Sequence, residues 1–183
     1  YVTDSLIDVM AAHPQILPYL DIPLQHASVP ILQAMHRPAN MDWVYSTLAK
    51  MRAHLPGLAL RTTFIVGYPG ETEKDFQTML DFIQEIKFDH LGAFTFSYED
   101  GTTSAPLGDP IPQEVKEERL QRLMLLQEKI SLGINQTFIG KTLPVLIEGY
   151  QKDLSIGRSY RDAPEIDGLV LVEGPAPQGE IIN

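Results

Sequence analysis

Residues 58–68, LALRTTFIVGY, are β-formers almost without a break, and few folds can use such a run. A half-exposed strand alternates apolar and polar positions, whereas a continuous one belongs in a parallel sheet covered on both faces. The run ends at Gly67-Tyr68-Pro69-Gly70, a turn signal, and then delivers Glu71 just before a helical pattern. Thr72 with Asp75 three residues later is a capping-box signature. Phe76, Met79, Leu80, Ile83 and Ile86 then recur at helical spacing over residues 73–87.

The same order appears on either side. TDSLIDVMAAH (3–13) predicts a helix with Asp4 as N-cap or first-turn acid, and ILPYLDIPL (16–24) predicts a short strand. VPILQAMHR (29–37) and MDWVYSTLAKMRAHL (41–55) predict two helices, and HLGAFTFSY (90–98) a third strand. Strands alternating with helices across short connections imply a parallel sheet with right-handed crossovers. Three strands make neither a closed barrel nor a comfortable open sheet, so the expectation is half of a larger α/β unit. Tyr1 also opens inside a helical pattern rather than at a methionine, and an excised fragment is expected.

After Gly101 a Pro-rich linker, APLGDPIPQ, leads to a long amphipathic helix over 113–134, with Val115, Leu120, Leu123, Met124 and Ile130 as anchors. Past Gly140 the texture changes. KTLPVLIEGY, GLVLVEG and GEIIN predict short strands of an all-β module that is incomplete at its C-terminal side. The expected division is therefore residues 1–139 and residues 140–183.

Bulk properties narrow the function. With 44% apolar and 21% charged residues in 183, the chain is globular rather than disordered. No apolar run approaches the roughly 18 residues that span a bilayer, and a cytoplasmic protein is expected. There is no cysteine, which excludes disulfides, thiolate metal sites and cysteine nucleophiles within the chain. Fourteen basic against 24 acidic residues, net −10, disfavour nucleic acid and suit a basic protein partner. Residues 141–183, with four basic and seven acidic residues, repeat that bias.

Polar residues gather at the C-terminal ends of all three predicted strands, where ligands bind in α/β folds. Gln25, His26 and Ser28 follow the first strand, Tyr68 and Glu71 the second, and Ser97, Tyr98 and Glu99 the third. Gly67 and Gly70 either serve the turn alone or let the backbone approach a ligand. Arg61, inside an apolar strand, needs a partner: an internal acid such as Asp21, or a ligand carboxylate, the reading preferred here. The five histidines show no metal spacing, and no metal site is expected. GRSYRDAPEIDG (157–168) reads as a loop between strands, its Arg158, Arg161, Asp162, Glu165 and Asp167 forming either a solvated loop or a contact surface.

Four separated stretches carry a resemblance: YLDIPLQHASVPILQAMHR, RTTFIVGYPGETEKDF, FDHLGAFTFSYEDGTTSA and GRSYRDAPEIDG. Together they resemble the radical S-adenosylmethionine methylthiotransferases, and in wording the RimO-like branch, which modifies an aspartate of small-subunit ribosomal protein S-twelve. The tRNA-modifying MiaB-like branch shares the GYPGE style of motif. A non-catalytic binding module of the same fold is a further alternative. The resemblance implies the second half of a partial TIM-type (βα)6 barrel followed by a small β-barrel TRAM domain. It implies S-adenosylmethionine across the strand ends, with Gln25, Ser28, Arg61, Gly67, Gly70, Glu71 and Tyr98 as candidate lining residues. His26, Arg158, Arg161, Asp162, Glu165 and Asp167 become candidate substrate contacts.

The implied reaction uses two [4Fe-4S] clusters. A reduced cluster splits adenosylmethionine, the radical takes a hydrogen from the substrate carbon, and a methylated sulfur is installed to give methylthioaspartate. The Cys-x3-Cys-x2-Cys motif that holds the radical cluster is absent from this chain. The chain alone is therefore expected to be inactive.

Overall fold

The computed structural model describes residues 2–183. In chain order the elements are α1 (Asp4–Ala12), β1 (Tyr19–Asp21), α2 (Val29–Ala34), α3 (Met41–His54), β2 (Ala59–Val66), α4 (Glu73–Ile86) and β3 (His90–Thr95). A 3-10 turn (Ala105–Leu107), α5 (Gln113–Gln136), β4 (Val145–Gln151), β5 (Leu154–Ser159), β6 (Val170–Glu173) and β7 (Ile181–Ile182) complete the chain.

The first sheet is parallel in the order β1-β2-β3, with Asp21, Arg61 and His90 side by side in register. Strand β1 is shorter than its pattern predicted. Pro18 and Pro23 flank it, and proline has no N–H to give to a ladder. Strand β2 corrects the expectation of cover on both faces. Leu60, Thr62, Phe64 and Val66 are buried, while Arg61, Thr63 and Ile65 between them are only half-buried. The helices lie on one face, and Phe94 on the other face is 63% exposed.

The main core fills the helical side. Leu60, Phe64 and Val66 meet Phe76, Met79, Phe82, Ile83 and Ile86 of α4, and Val44, Leu48 and Met51 of α3. Phe82 stands edge-on to Tyr45 at 5.1 Å and Phe64 edge-on to Phe88 at 6.1 Å, the arrangement that aromatic quadrupoles favour. Both halves of the α4 capping box form.

Helix α5 packs through Leu123 and Ile130 as predicted, with Leu120 against the same core, but long polar residues take the other inward positions. Its buried residues are Lys116, Arg119, Leu123, Gln127 and Ile130, whereas Met124 is 40% exposed and Val115 half-buried. Apolarity misled the reading because the strand ends and their loops present carbonyls and a carboxylate to this helix. Long side chains meet them by burying their stems and bonding through their tips.

The second sheet is antiparallel in the order β6-β5-β4-β7. Strand β5 was missed, since Gly157, Arg158 and Ser159 read as loop. Gly157 in fact lies in the ladder opposite Ile147, and a Cβ there would collide with the Leu146 carbonyl oxygen.

Candidate functional site

A groove of about 430 Å³ opens at the C-terminal ends of the parallel strands. Gln25, Thr63, Ile65, Tyr68, Phe94, Thr95, Phe96, Ser97 and Glu99 line it, along with Thr102 to Ser104 from the next loop. Its floor is a small apolar cluster in which Tyr68 and Phe96 stand edge-on at 5.2 Å over Ile31. The Tyr68 hydroxyl donates to the Ala34 carbonyl at 2.9 Å, and burial raises its pKa above the ordinary phenol value.

Gln25 stands where the sequence put it. Its backbone has φ +73° and extends the sheet, with its N–H on Thr63 O (2.9 Å) and its C=O taking Ile65 N–H (2.8 Å). Gly67 has φ +75°, and a Cβ there would sit 2.5 Å from Lys116 Cγ, so only glycine admits the lysine stem. The Lys116 ammonium bonds Phe96 O at 3.0 Å and pairs with Asp109 at 2.5 Å. Gly70 has φ +89° and open space around it.

Glu71 requires a correction. Its side chain is fully buried and has no exposure to the groove. One carboxylate oxygen accepts Gly67 N–H (3.0 Å) and His26 Nε2 (3.2 Å), and the other accepts Arg119 from α5 (2.7 Å). His26, expected to touch substrate, is 1% exposed, and its Nδ1 accepts Ser28 N–H at 2.9 Å. The Nε2 proton is thereby directed at Glu71. The acid after the turn thus ties the β1 loop, the β2 loop and α5 together behind the groove.

Ser28 belongs to the same scaffold rather than to the lining. It is 3% exposed, and its hydroxyl donates to Asp75 at 2.5 Å. Burial pushes the Asp75 carboxyl up, but hydrogen bonds from Ser28 and Thr72 outweigh it and hold the pKa below the ordinary value. Tyr98 is 45% exposed and donates to Asp100, while Ser97 and Glu99 on either side of it face the groove.

Arg61 is corrected to the internal pairing. Its guanidinium donates to Asp21 (2.6 Å) and to Asp167 (3.2 Å). Burial alone would lower its pKa, and the two acids more than reverse that.

The 157–168 stretch is corrected in large part as well. Asp167, with 4% of its side chain exposed, also accepts Tyr19 OH (2.8 Å). Arg161 pairs with Asp89 at 2.7 Å and lies 3.9 Å from the Phe138 ring centroid. Asp162 closes its own turn by accepting Ser159 N–H and Oγ–H. Only Arg158, paired with Glu148, and exposed Glu165 remain at the surface.

The groove residues Thr63 and Thr95 and the scaffold residues Lys116 and Arg119 went unread. The threonines looked like ordinary strand formers. The two cations on α5 were legible only as breaks in its apolar stripe. Among the described residues no group of three or more acidic, histidine or cysteine side chains could hold a metal ion. No helix among them is long and apolar enough to cross a membrane.

Rings and aliphatic side chains in the groove are interspersed with hydroxyls, an amide, the Glu99 carboxylate and the Arg37 guanidinium. The chain joins a parallel α/β sheet that bears this groove to a separate antiparallel sheet. The radical SAM superfamily model matches residues 1–83 and the TRAM domain model residues 139–183. The radical SAM enzyme coproporphyrinogen III oxidase (HemN) from Escherichia coli superposes with a TM-score of 0.59 at 16% identity. That match covers 70% of this chain and 30% of the other, and it concerns the fold.

In sequence the chain is 54% identical to a ribosomal protein uS12 methylthiotransferase RimO of Mannheimia succiniciproducens, over 93% of its length and 38% of the relative's. Proteins of the same name from Heliobacterium modesticaldum and Moorella thermoacetica are 50% and 47% identical, over 94% and 100% of this chain. The chain belongs to the radical SAM methylthiotransferase family, in its RimO-like branch. It spans about two fifths of the length of the curated relatives it matches.

Proposed function

We propose that this chain is part of an enzyme that methylthiolates an aspartate of ribosomal protein uS12. Residues 1–139 would contribute to the radical SAM barrel and 140–183 would form the TRAM domain. The observation that carries this reading is the identity to uS12 methylthiotransferases, which runs through both the groove-forming strands and the second sheet. S-adenosylmethionine would lie in the strand-end groove, held by Gln25, Thr63, Tyr68 and Ser97. Bound there beside the family's iron–sulfur clusters, one molecule would supply the hydrogen abstraction from the substrate, and a second would supply the methyl of the methylthio group.

The chain's own contribution is to bind and to hold still. The Glu71 carboxylate fixes the two loops that border the groove, and the Tyr68–Phe96 floor excludes water from one side of it. The chain has no cysteine, so the cluster ligands would come from elsewhere in the enzyme, and the isolated chain would be inactive. The acidic balance fits a basic ribosomal protein better than RNA, which argues against the tRNA-modifying branch. A cytoplasmic location follows from that partner.

The test is mass spectrometry of uS12 and of bulk tRNA from cells expressing the complete enzyme against cells lacking it. An enzyme-dependent gain of one methylthio group on a uS12 aspartate is expected. A modified tRNA base with unmodified uS12 would overturn the assignment.

A further inference from the structure

The second sheet is seated on the first unit through polar groups. The main apolar cluster contains no residue beyond Ile134, so none of its members comes from the second sheet. What crosses is a seam of hydrogen bonds and ion pairs. Tyr160 OH donates to Gly57 O (2.9 Å), Arg161 to Asp89 (2.7 Å), and His90 Nε2 to Arg161 O (2.8 Å).

Asp167 lies deepest in the seam. Its two oxygens take Arg61 Nε from β2 and Tyr19 OH from β1, and it also holds its own loop by accepting Ala163 N–H at 2.9 Å. His90 Nδ1 of β3 stands 3.7 Å away. One carboxylate thus gathers groups from all three parallel strands at their N-terminal end.

We propose that Asp167 is a positioning residue. It pins the 160–168 loop under the parallel sheet and fixes where the second sheet stands relative to the groove at the other end of the same strands. Arg61 and Gly67 lie six residues apart on β2 and its exit, about 20 Å at strand rise. A protein substrate reaching from that groove to the second sheet depends on this seating, whereas a small ligand within the groove does not. Because the seam is polar, losing its pin exposes little apolar surface, and the second sheet stays folded while its placement loosens. The role in substrate capture rests on the proposed methylthiotransferase reading.

The experiment has two arms. In the first, amide hydrogen exchange is followed in the chain carrying Asp167→Asn or Tyr19→Phe. Asp167→Asn is expected to speed exchange in 160–168 and 19–21 on the order of tenfold while 145–156 stays protected, with Tyr19→Phe weaker. Unchanged exchange in those segments overturns the pin. Collapse of protection across 145–156 overturns it too, because Asp167 would then be holding the fold of the sheet rather than its position.

The second arm uses the complete enzyme carrying Asp167→Asn. KM for uS12 is expected to rise on the order of tenfold, with kcat and substrate-independent adenosylmethionine cleavage unchanged. A fall in kcat at constant KM overturns the positioning role. If the unaltered enzyme does not modify uS12 at all, the functional reading fails, and the exchange arm still decides whether Asp167 seats the sheet.

Discussion

Glu71 and Gly67 show how one position can be singled out correctly for the wrong reason. The acid after the GYPG turn stood out in the sequence, and it is functional in the sense of holding a scaffold, but every oxygen is spent inside the protein. Sequence spacing places a residue at a strand end without saying which way its side chain turns, and Ser28 and His26 in fact turn into the protein. Glu71→Ala would leave buried Arg119 with only the residue-71 carbonyl at 3.3 Å and exposed Glu73 at 3.7 Å, and should cost about 3 kcal/mol or more in urea unfolding. Gly67→Ala should cost about 2 kcal/mol through positive φ, with the Lys116 contact adding to it, read in the same experiment. Asp75 makes a pH prediction. Its folded pKa lies below the unfolded one, so its contribution is full above about pH 4 and disappears as pH falls through the folded value. Thermal melts from pH 7 down to pH 3 should show Ser28→Ala losing less stability over that interval than the unaltered chain.

At the level of elements, strands and helices with a clear period were readable, and those built on exceptions were not. Helix α4 followed its apolar stripe and cap from sequence to structure, Phe82 being the one core member left out. Helix α5 did so only at Leu120, Leu123 and Ile130, because its other inward positions are a lysine, an arginine and a glutamine that answer polar groups of the strand ends and loops. Strand β5 escaped because a glycine demanded by backbone contact looks like a loop residue. The expectation for Val115 can be tested directly, with Leu123, an anchor in both assignments, as the reference. Leu123→Ala, at a fully buried position, should cost about 3 kcal/mol, whereas Val115→Ala should cost below about 1 kcal/mol by denaturant midpoint.

For the molecule as a whole, the parallel sheet has a free edge at β1, since that strand pairs only with β2. Beside it runs an apolar groove of about 730 Å³ lined by Leu6, Leu20, Ile22, Leu24, Trp43 and Leu48. An open edge next to apolar surface invites association. Sedimentation velocity on the isolated chain should show mass rising with concentration, and a single monomer boundary at all concentrations would contradict this. The three-stranded parallel sheet was legible from the order of its elements, and so was the change to a β-module past Gly140. The seating of one on the other was not, because Arg61 and Asp167 are 106 residues apart and nothing local in either stretch names its partner.

The polar seam also bears on how such a protein could be rebuilt by recombination. A module joined through a shared hydrophobic core cannot be exchanged without repacking both sides. This one meets its neighbour through Tyr160, Arg161 and Asp167, against Gly57, Asp89, His90, Tyr19 and Arg61. A transplanted head would need to bring those side chains, with Asp162 beside His90, in the same order. The seam therefore works as a short molecular address, by which the parallel-sheet unit could accept a different second sheet.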